Sequence, residues 1–383
     1  MPIYKMEGAK NGKQKYRVRI NYIDNFGKNR QIDRVAYGLS EAKELERILA
    51  LELKEKPPTA RMTVQQLYDE YIKAIAPELR ETSLDKNKYI LQTYVMESIG
   101  NISLDKLNAP VLQQWKNQIE ERTVKTSDGQ EHGLKLRTKQ NIFSTFRALL
   151  NWGVKMDYLP QNALTKVGNF KSSSLVKEEM QYYTAEEFKL FAKTAYDEAE
   201  KSGIVADWDF YVFFCIAFYT GLRKGEIHAL KWTDIRGEYL SITRSISQKL
   251  KGYDRETPPK NKSSVRTLQM PKPLIDVLNN HKELYKQRRN FTEDFRICGG
   301  TRSLRDTSIE NANIKFAKLA GLKKIRIHDF RHSHVSLLAN EGINIQEIAR
   351  RLGHANIEMT WNTYSHLYPR EEERAVEILN QIV

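Results

Sequence analysis

The spacing of apolar and polar positions changes along the chain, and each change marks a new element. Between Gln14 and Ile23, Tyr16, Val18, Ile20 and Tyr22 fall on one face while Arg17, Arg19 and Asn21 fall on the other. This period of two predicts a half-buried strand. Asp24 to Asn29 carries turn residues, and Arg30 to Tyr37 can return as a second strand. From Ser40 the period becomes helical, with Ala42, Leu45, Ile48, Leu49 and Leu53 on one stripe. Pro57-Pro58 ends that helix. Residues 1–58 therefore predict a small β-sheet followed by a helix.

Residues 62–165 read as helices throughout. Thr63 and Gln66 predict a capping box ahead of Val64, Leu67, Tyr68, Tyr71, Ile72 and Ile75. A second helix is expected from near Thr82 to near Gly100. A third follows Asn108, with Pro110 in its first turn, where a missing N–H costs nothing. The polar stretch from Thr123 to Gly133 predicts a loop. A long fourth helix carries Ile142, Phe143, Phe146, Leu149, Leu150 and Val154 up to Pro160. Residues 166–177, which include Ser172-Ser173-Ser174, have no period and predict a linker.

Residues 178–383 form a third region. Thr184 and Glu187 predict another capping box. One strand-rich insert follows, with strands over Leu240 to Ile246 and Ser264 to Met270 and a turn-rich connection over Lys249 to Pro259. Four or five helices are expected from Ser308 onward. The fold class predicted is mainly α with small β elements (α+β), in three domains.

Composition narrows the function. Two cysteines, Cys215 and Cys298, exclude a disulfide scaffold or a Cys-rich zinc module and fit a reducing compartment. The longest apolar run, Phe210 to Tyr219, is too short to cross a bilayer, and Lys5, Glu7, Lys10 and Lys13 leave no room for an apolar leader. A cytoplasmic protein without a membrane partner is expected. The formal net charge is +14. The excess is spread along all three regions rather than gathered in a tail, which favours a polyanionic partner such as nucleic acid.

Four segments of the third region hold the candidate chemistry. Thr220-Gly221-Leu222-Arg223-Lys224-Gly225-Glu226 follows the apolar run, so Arg223 should lie near the core and need an anion, either Glu226 or a ligand. Pro259 to Thr267 offers Lys260, with Lys262 two residues on, at the tip and return of a hairpin. His328-Asp329-Phe330-Arg331-His332 opens a helix and places His328 and Arg331 on one face, suited to a phosphate. His328 and His332 also have the spacing of a zinc-binding pair. Asp329 stands where that motif has Glu, however, and Arg331 opposes a dication, so no metal is expected. Finally, Leu352-Gly353-His354 precedes Thr360 to His366, where polar neighbours suggest partial exposure of Tyr364.

Taken in order, Arg223, Lys260, His328, Arg331, His354 and Tyr364 resemble the catalytic set of the tyrosine recombinases, the phage and conjugative-transposon integrases. The specific motifs span residues 178–383. By pattern alone, 62–165 resembles the family's SAM-like core-binding domain and 1–58 its arm-binding domain. Asn261 departs from the Thr often found after the lysine, which leaves Lys260 and Lys262 both open as the general acid.

The resemblance implies that Tyr364 attacks a DNA phosphate to give a 3′-phosphotyrosine, without ATP, metal or cofactor. Arg223 and Arg331 would bind the non-bridging oxygens, with His328 and His354 adding hydrogen bonds and His328 the nearest base. Glu226 would position Arg223. Arg17, Arg19, Arg137, Lys139 and Lys262 are the expected DNA contacts. Double-stranded DNA with core-type and arm-type sites, a homotetramer on DNA, an excisionase and a host DNA-bending protein are the implied partners, and a bacterial host the implied setting. The tail Glu371 to Val383 carries an apolar stripe that would dock on its own or a neighbouring subunit. The alternatives are a resolvase of the same family, a type IB topoisomerase and a non-catalytic DNA-binding protein.

Overall fold

A computed structural model describes residues 3–23, 29–55, 62–125, 129–171, 180–248, 254–257, 262–367, 376 and 379–380. It divides into two compact units, residues 1–176 and 177–383.

The first unit opens with an antiparallel sheet in the order β1-β2-β3, formed by β1 (Ile3–Lys10), β2 (Lys13–Ile23) and β3 (Asn29–Tyr37). Of these, β1 had no alternation to betray it. Val18 and Ala36 pack with Ala42 and Leu49 of α1 (Leu39–Glu55), while Tyr16, Ile20 and Ile32 flank them. That leaves Arg17 and Arg19 on the opposite face, as the alternation predicts.

The helical part comprises α2 (Val64–Ile75), α3 (Glu81–Leu91), α4 (Glu97–Ile99), α5 (Ala109–Glu121), α6 (Leu136–Lys155) and the short α7 (Leu164–Val167). Thr63 and Gln66 form the expected capping box, an arrangement worth about 1 kcal/mol. Between α3 and α4 the helix widens into a π turn over Gln92–Met96. The Tyr94 carbonyl there accepts the indole N–H of buried Trp115 at 2.8 Å. Thr123 to Gly133 is not a plain loop. β4 (Thr123–Lys125) pairs with β5 (Glu131–Gly133), an exposed hairpin with no apolar face to signal it.

Two expectations on this unit are corrected. Phe170, assigned to the linker, is buried in the helical core, and Lys116 Nζ donates to the Gly168 carbonyl at 3.0 Å, so the packed chain runs past 165. Lys139, expected on DNA, is buried. Its ammonium donates to the Glu120 carboxylate at 2.5 Å and to the Glu120 carbonyl at 3.2 Å. Its position three residues before Ile142 places it on the inward stripe of α6.

The second unit begins with α8 (Ala185–Ser202), capped by Thr184 and Glu187, and α9 (Val205–Thr220), which is apolar and buried on every side from Val212 to Phe218. Phe188 stacks on Phe218 at 3.7 Å between ring centroids, Phe330 meets Phe188 edge to face, and Phe191 meets Phe214 and Phe330 in the same way. After α10 (Lys224–Ala229) come β6 (Ile235–Arg236), β7 (Tyr239–Ile242), β8 (Ser245–Ser247), β9 (Arg255–Thr257) and β10 (Arg266–Gln269). The single strand expected over 240–246 is two. β7 joins a β10-β7-β6 sheet, whereas β8 pairs with β9 in a separate ribbon. The helices α11 (Lys272–Lys286), α12 (Asp306–Leu319), α13 (Asp329–Asn340), α14 (Ile345–Leu352) and α15 (Ile357–Tyr364) complete the unit. Among the described residues no helix is long and apolar enough to cross a membrane. Most of the tail Glu371 to Val383 lies outside the described residues.

Candidate active site

α9 stops at Gly221, whose φ of +65° is open to glycine. A Cβ there would also fall 2.7 Å from His334 Cδ2. The chain turns and places Arg223 at the head of α10. Its backbone N–H donates to Glu226 Oε2 and its Nη1 to Oε1, both at 3.0 Å. Arg223 pairs with Glu226 but lies less deep than its place after the apolar run predicts: its side chain keeps 38% of its surface exposed. One of its five N–H groups is spent on Glu226, so the rest can face a ligand.

Glu226 is buried and serves two arginines. Arg266 Nη2 donates to Oε2 at 3.0 Å and Nη1 to Oε1 at 3.3 Å. Burial alone would raise this carboxyl, but Arg266, then Arg223, hold it below the usual range. Arg266 was missed as a site residue. It lies two positions before buried Leu268 and four before buried Met270, and that alternation is the signal that would have turned it inward.

Arg331 is the arginine that lies in the core. Nη1 donates to the Gly221 carbonyl at 2.7 Å, and Nη2 to the Leu352 carbonyl and His354 Nε2, both at 2.8 Å. Burial, and then the charge of Arg223, press its pKa down to about 9. Three of its five N–H groups are engaged, which leaves two. A guanidinium only donates, so His354 Nε2 must accept and its Nδ1 must carry the hydrogen given to Thr360 Oγ1 at 2.7 Å. Burial, then Arg331, push His354 down to about 4, which agrees with a neutral ring. His328 occupies the N-cap position of α13 at the exposed rim, its pKa lowered by partial desolvation and by Arg331.

Tyr364 departs from expectation. It is buried, packed with Val335, Ala339, Ile348 and Leu352. Its hydroxyl lies 2.6 Å from Nδ1 of His332, not on His328. Burial lifts the phenol to about 12 against the pull of Arg331, and burial, then His328, press His332 down to about 4. Nε2 of the neutral ring faces the Asp329 carboxylate at 3.8 Å, which favours the hydrogen there and leaves Nδ1 to accept from the phenol. Polar neighbours in sequence misled because residues one apart on a helix point about 100° apart. His328 and His332 meet edge to face at 5.2 Å between ring centroids. Among the described residues no group of three or more His, Cys, Asp or Glu could hold a metal ion.

The four segments thus converge, with two exceptions. Lys260 lies outside the described residues. Lys262 belongs to the 3-10 turn Lys262–Ser264, and its side chain also lies outside them. The remaining candidates sit in the first unit, away from this cluster in sequence. Arg17 is half-buried, Arg137 is exposed, and Arg19 is tied to Asp33 across β2 and β3 at 2.9 Å.

The profile of the Phage integrase family matches residues 192–371, and that of the phage integrase N-terminal SAM-like domain matches residues 63–119. This chain belongs to the phage integrase family of tyrosine recombinases. Among its relatives in the family is the ICEBs1 integrase of Bacillus subtilis (strain 168), 27% identical over 392 residues and covering all of both chains. Two solved integrases share the fold. The Tn1549 transposon integrase, in complex with transposon right end DNA, has a TM-score of 0.64 at 19% identity, covering 84% of this chain and 100% of that one. The lambda integrase tetramer bound to a Holliday junction has a TM-score of 0.56 at 19% identity, covering 96% and 95%.

Proposed function

We propose that this integrase inserts and excises a mobile DNA element, with Tyr364 as the nucleophile on a scissile phosphodiester. The observation that supports it most is the convergence of Arg223, Arg331 and His354, with Arg331 and His354 in contact at 2.8 Å, in the same unit as α15, which ends in Tyr364. In the reaction the tyrosine oxygen bonds to phosphorus, the P–O5′ bond breaks, and a 3′-phosphotyrosine and a 5′-hydroxyl result. Attack by the partner strand's 5′-hydroxyl reverses the step. One phosphodiester is exchanged for another, so no nucleotide is consumed.

The site supplies what that chemistry lacks. Charge gathers on the non-bridging oxygens, and the unspent N–H groups of Arg223 and Arg331 are suited to them. The leaving 5′-oxygen needs a proton, which we assign to Lys260 or Lys262. The phenol must lose one, and His332 already receives its hydrogen bond. Because Tyr364 is buried and pushed up to about 12, its position here is a resting one, and α15 must carry it toward DNA before attack.

In this reading the partners are double-stranded DNA and three further copies of the chain. Residues 1–58 read distal arm sites through the face that bears Arg17, while an excisionase and a host DNA-bending protein set direction. The reaction takes place in a bacterial cytoplasm. A resolvase would share the chemistry but leave the N-terminal sheet without a task. The test is a nicked duplex bearing the junction of the element's own ends. The native chain should be trapped covalently on it, and absence of any covalent complex would overturn the reading.

A further inference from the structure

Arg266 opens β10, one residue beyond the turn Lys262–Ser264. Its guanidinium is buried and meets four acceptors on three separate parts of the unit. Nε donates to the Arg351 carbonyl at 2.6 Å, at the end of α14. Nη1 donates to the Ser264 carbonyl at 3.1 Å and to Glu226 Oε1 at 3.3 Å. Nη2 donates to Glu226 Oε2 at 3.0 Å. Four of its five N–H groups are engaged with protein and its side chain is 6% exposed, so it has little left to offer a phosphate.

We propose that Arg266 is a positioning residue of the recombination site, which holds Glu226 so that Arg223 keeps its donors for DNA and fastens the turn that presents His354. The inference rests on the recombinase reading above. Gly353 provides an independent observation. It precedes His354 with φ of +63°, and a Cβ there would lie 2.9 Å from Arg266 Nη1 and 3.1 Å from the Ser263 carbonyl. The backbone is thus bare where the guanidinium passes.

The charge argument concerns every group that faces Glu226. Arg223 does so from its own helix, through both side chain and backbone N–H. Arg266 faces it from β10, and Arg331 feels its charge from α13. One carboxylate shared by Arg223 and Arg266 leaves the trio net positive. Without Arg266, Glu226 keeps its burial but has only Arg223 as a hydrogen-bonded partner. A buried carboxylate in that position draws its partner inward, and its proton affinity rises.

The experiment is single-turnover cleavage of the nicked junction duplex by the full chain, as a function of pH, alongside DNA affinity. Arg266→Met should bind DNA within about twofold of native but cleave roughly 100-fold more slowly, a loss of about 2.7 kcal/mol. The acid limb of its pH–rate profile should shift to higher pH. Arg266→Lys keeps the charge without the fork, so the acid limb should return and only part of the rate. Native-rate cleavage by Arg266→Met, or a slow variant whose acid limb has not moved, would overturn the proposal. If Arg266→Met does not fold, Arg266→Lys decides: reduced rate at unchanged affinity supports the proposal and native rate overturns it. A native chain that never becomes covalently attached would instead overturn the recombinase reading.

Discussion

The hydroxyl of Tyr364 donates a 2.6 Å hydrogen bond to Nδ1 of His332, the residue directly after Arg331. The proposed nucleophile is therefore stored, protonated and buried, next to the residue that follows Arg331. Tyr364→Phe removes the attacking oxygen and leaves the ring in its apolar setting of Val335, Ile348 and Leu352. DNA affinity should stay within about twofold of native while covalent complex disappears. Any covalent adduct formed by this variant would show that another residue attacks.

His332 can be separated from its bond. Asparagine offers an oxygen near the place of Nδ1, whereas phenylalanine offers a ring and no acceptor. His332→Phe should leave the Tyr364 hydroxyl buried without a partner, at a cost of about 1–3 kcal/mol. Urea denaturation should register that loss for His332→Phe and recover most of it for His332→Asn. Equal stability of the two variants would mean that the contact contributes little.

The histidines also set a pH window for stability. His332 and His354 are held near 4 and His334 near 3, all below the ordinary 6.5. The unfolded chain binds more protons between these limits, so stability is complete above about pH 6.5 and is lost as pH falls toward 4. Asp306, held near 2 by His228 and Lys224, acts later, its contribution being lost only below the usual carboxylate value of 3.8. Thermal unfolding of the full chain should therefore show a falling Tm between pH 6.5 and 4, and a flat Tm across that interval would contradict the neutral assignments.

The proposed DNA contacts divide by what already holds them. Arg137 is exposed, whereas Lys139 is buried against Glu120. Arg137→Gln should weaken core-site binding and lower the salt slope by about 1 if it meets a phosphate. Lys139→Gln should leave the slope alone and lower stability modestly, because the bond to the Glu120 carbonyl is lost while the exposed Glu120 carboxylate stays solvated. Filter binding at several salt concentrations, paired with urea denaturation, distinguishes the two.

Gly353→Ala should be poorly tolerated. The added Cβ meets Arg266 Nη1 at 2.9 Å, and the backbone there is left-handed. A loss of about 1–2 kcal/mol is expected from the backbone conformation alone. Cleavage should fall further than stability does, because the displaced group is the one that grips Glu226.

Much of this was legible in the sequence, for reasons that can be stated residue by residue. Val18 on β2 and Val64, Leu67 and Tyr71 on α2 followed simple periods, and the caps at Thr63 and Thr184 announced their helices. Arg223, Arg331 and His354, taken from three of the polar segments, come together, while Lys260 and the side chain of Lys262, from the fourth, lie outside the described residues. What escaped depended on distant partners. The burial of Lys139 needs Glu120, the inward turn of Arg266 needs Glu226 and Arg351, and the storage of Tyr364 needs His332. The pairing of β4 with β5 escaped because neither strand has a buried face. No period reports contacts of that kind, since they are set by side chains that meet across turns far apart in sequence.

Thr360 is wholly buried on α15, one turn before Tyr364, and it receives the hydrogen of His354, whose other nitrogen is gripped by Arg331. These bonds behave as an interlock. A shift of α15 large enough to deliver the phenol pulls Thr360 away from His354 and frees that N–H at the same moment. In the proposed reaction the phenol thus cannot advance without also loosening His354, the group proposed to steady the phosphate.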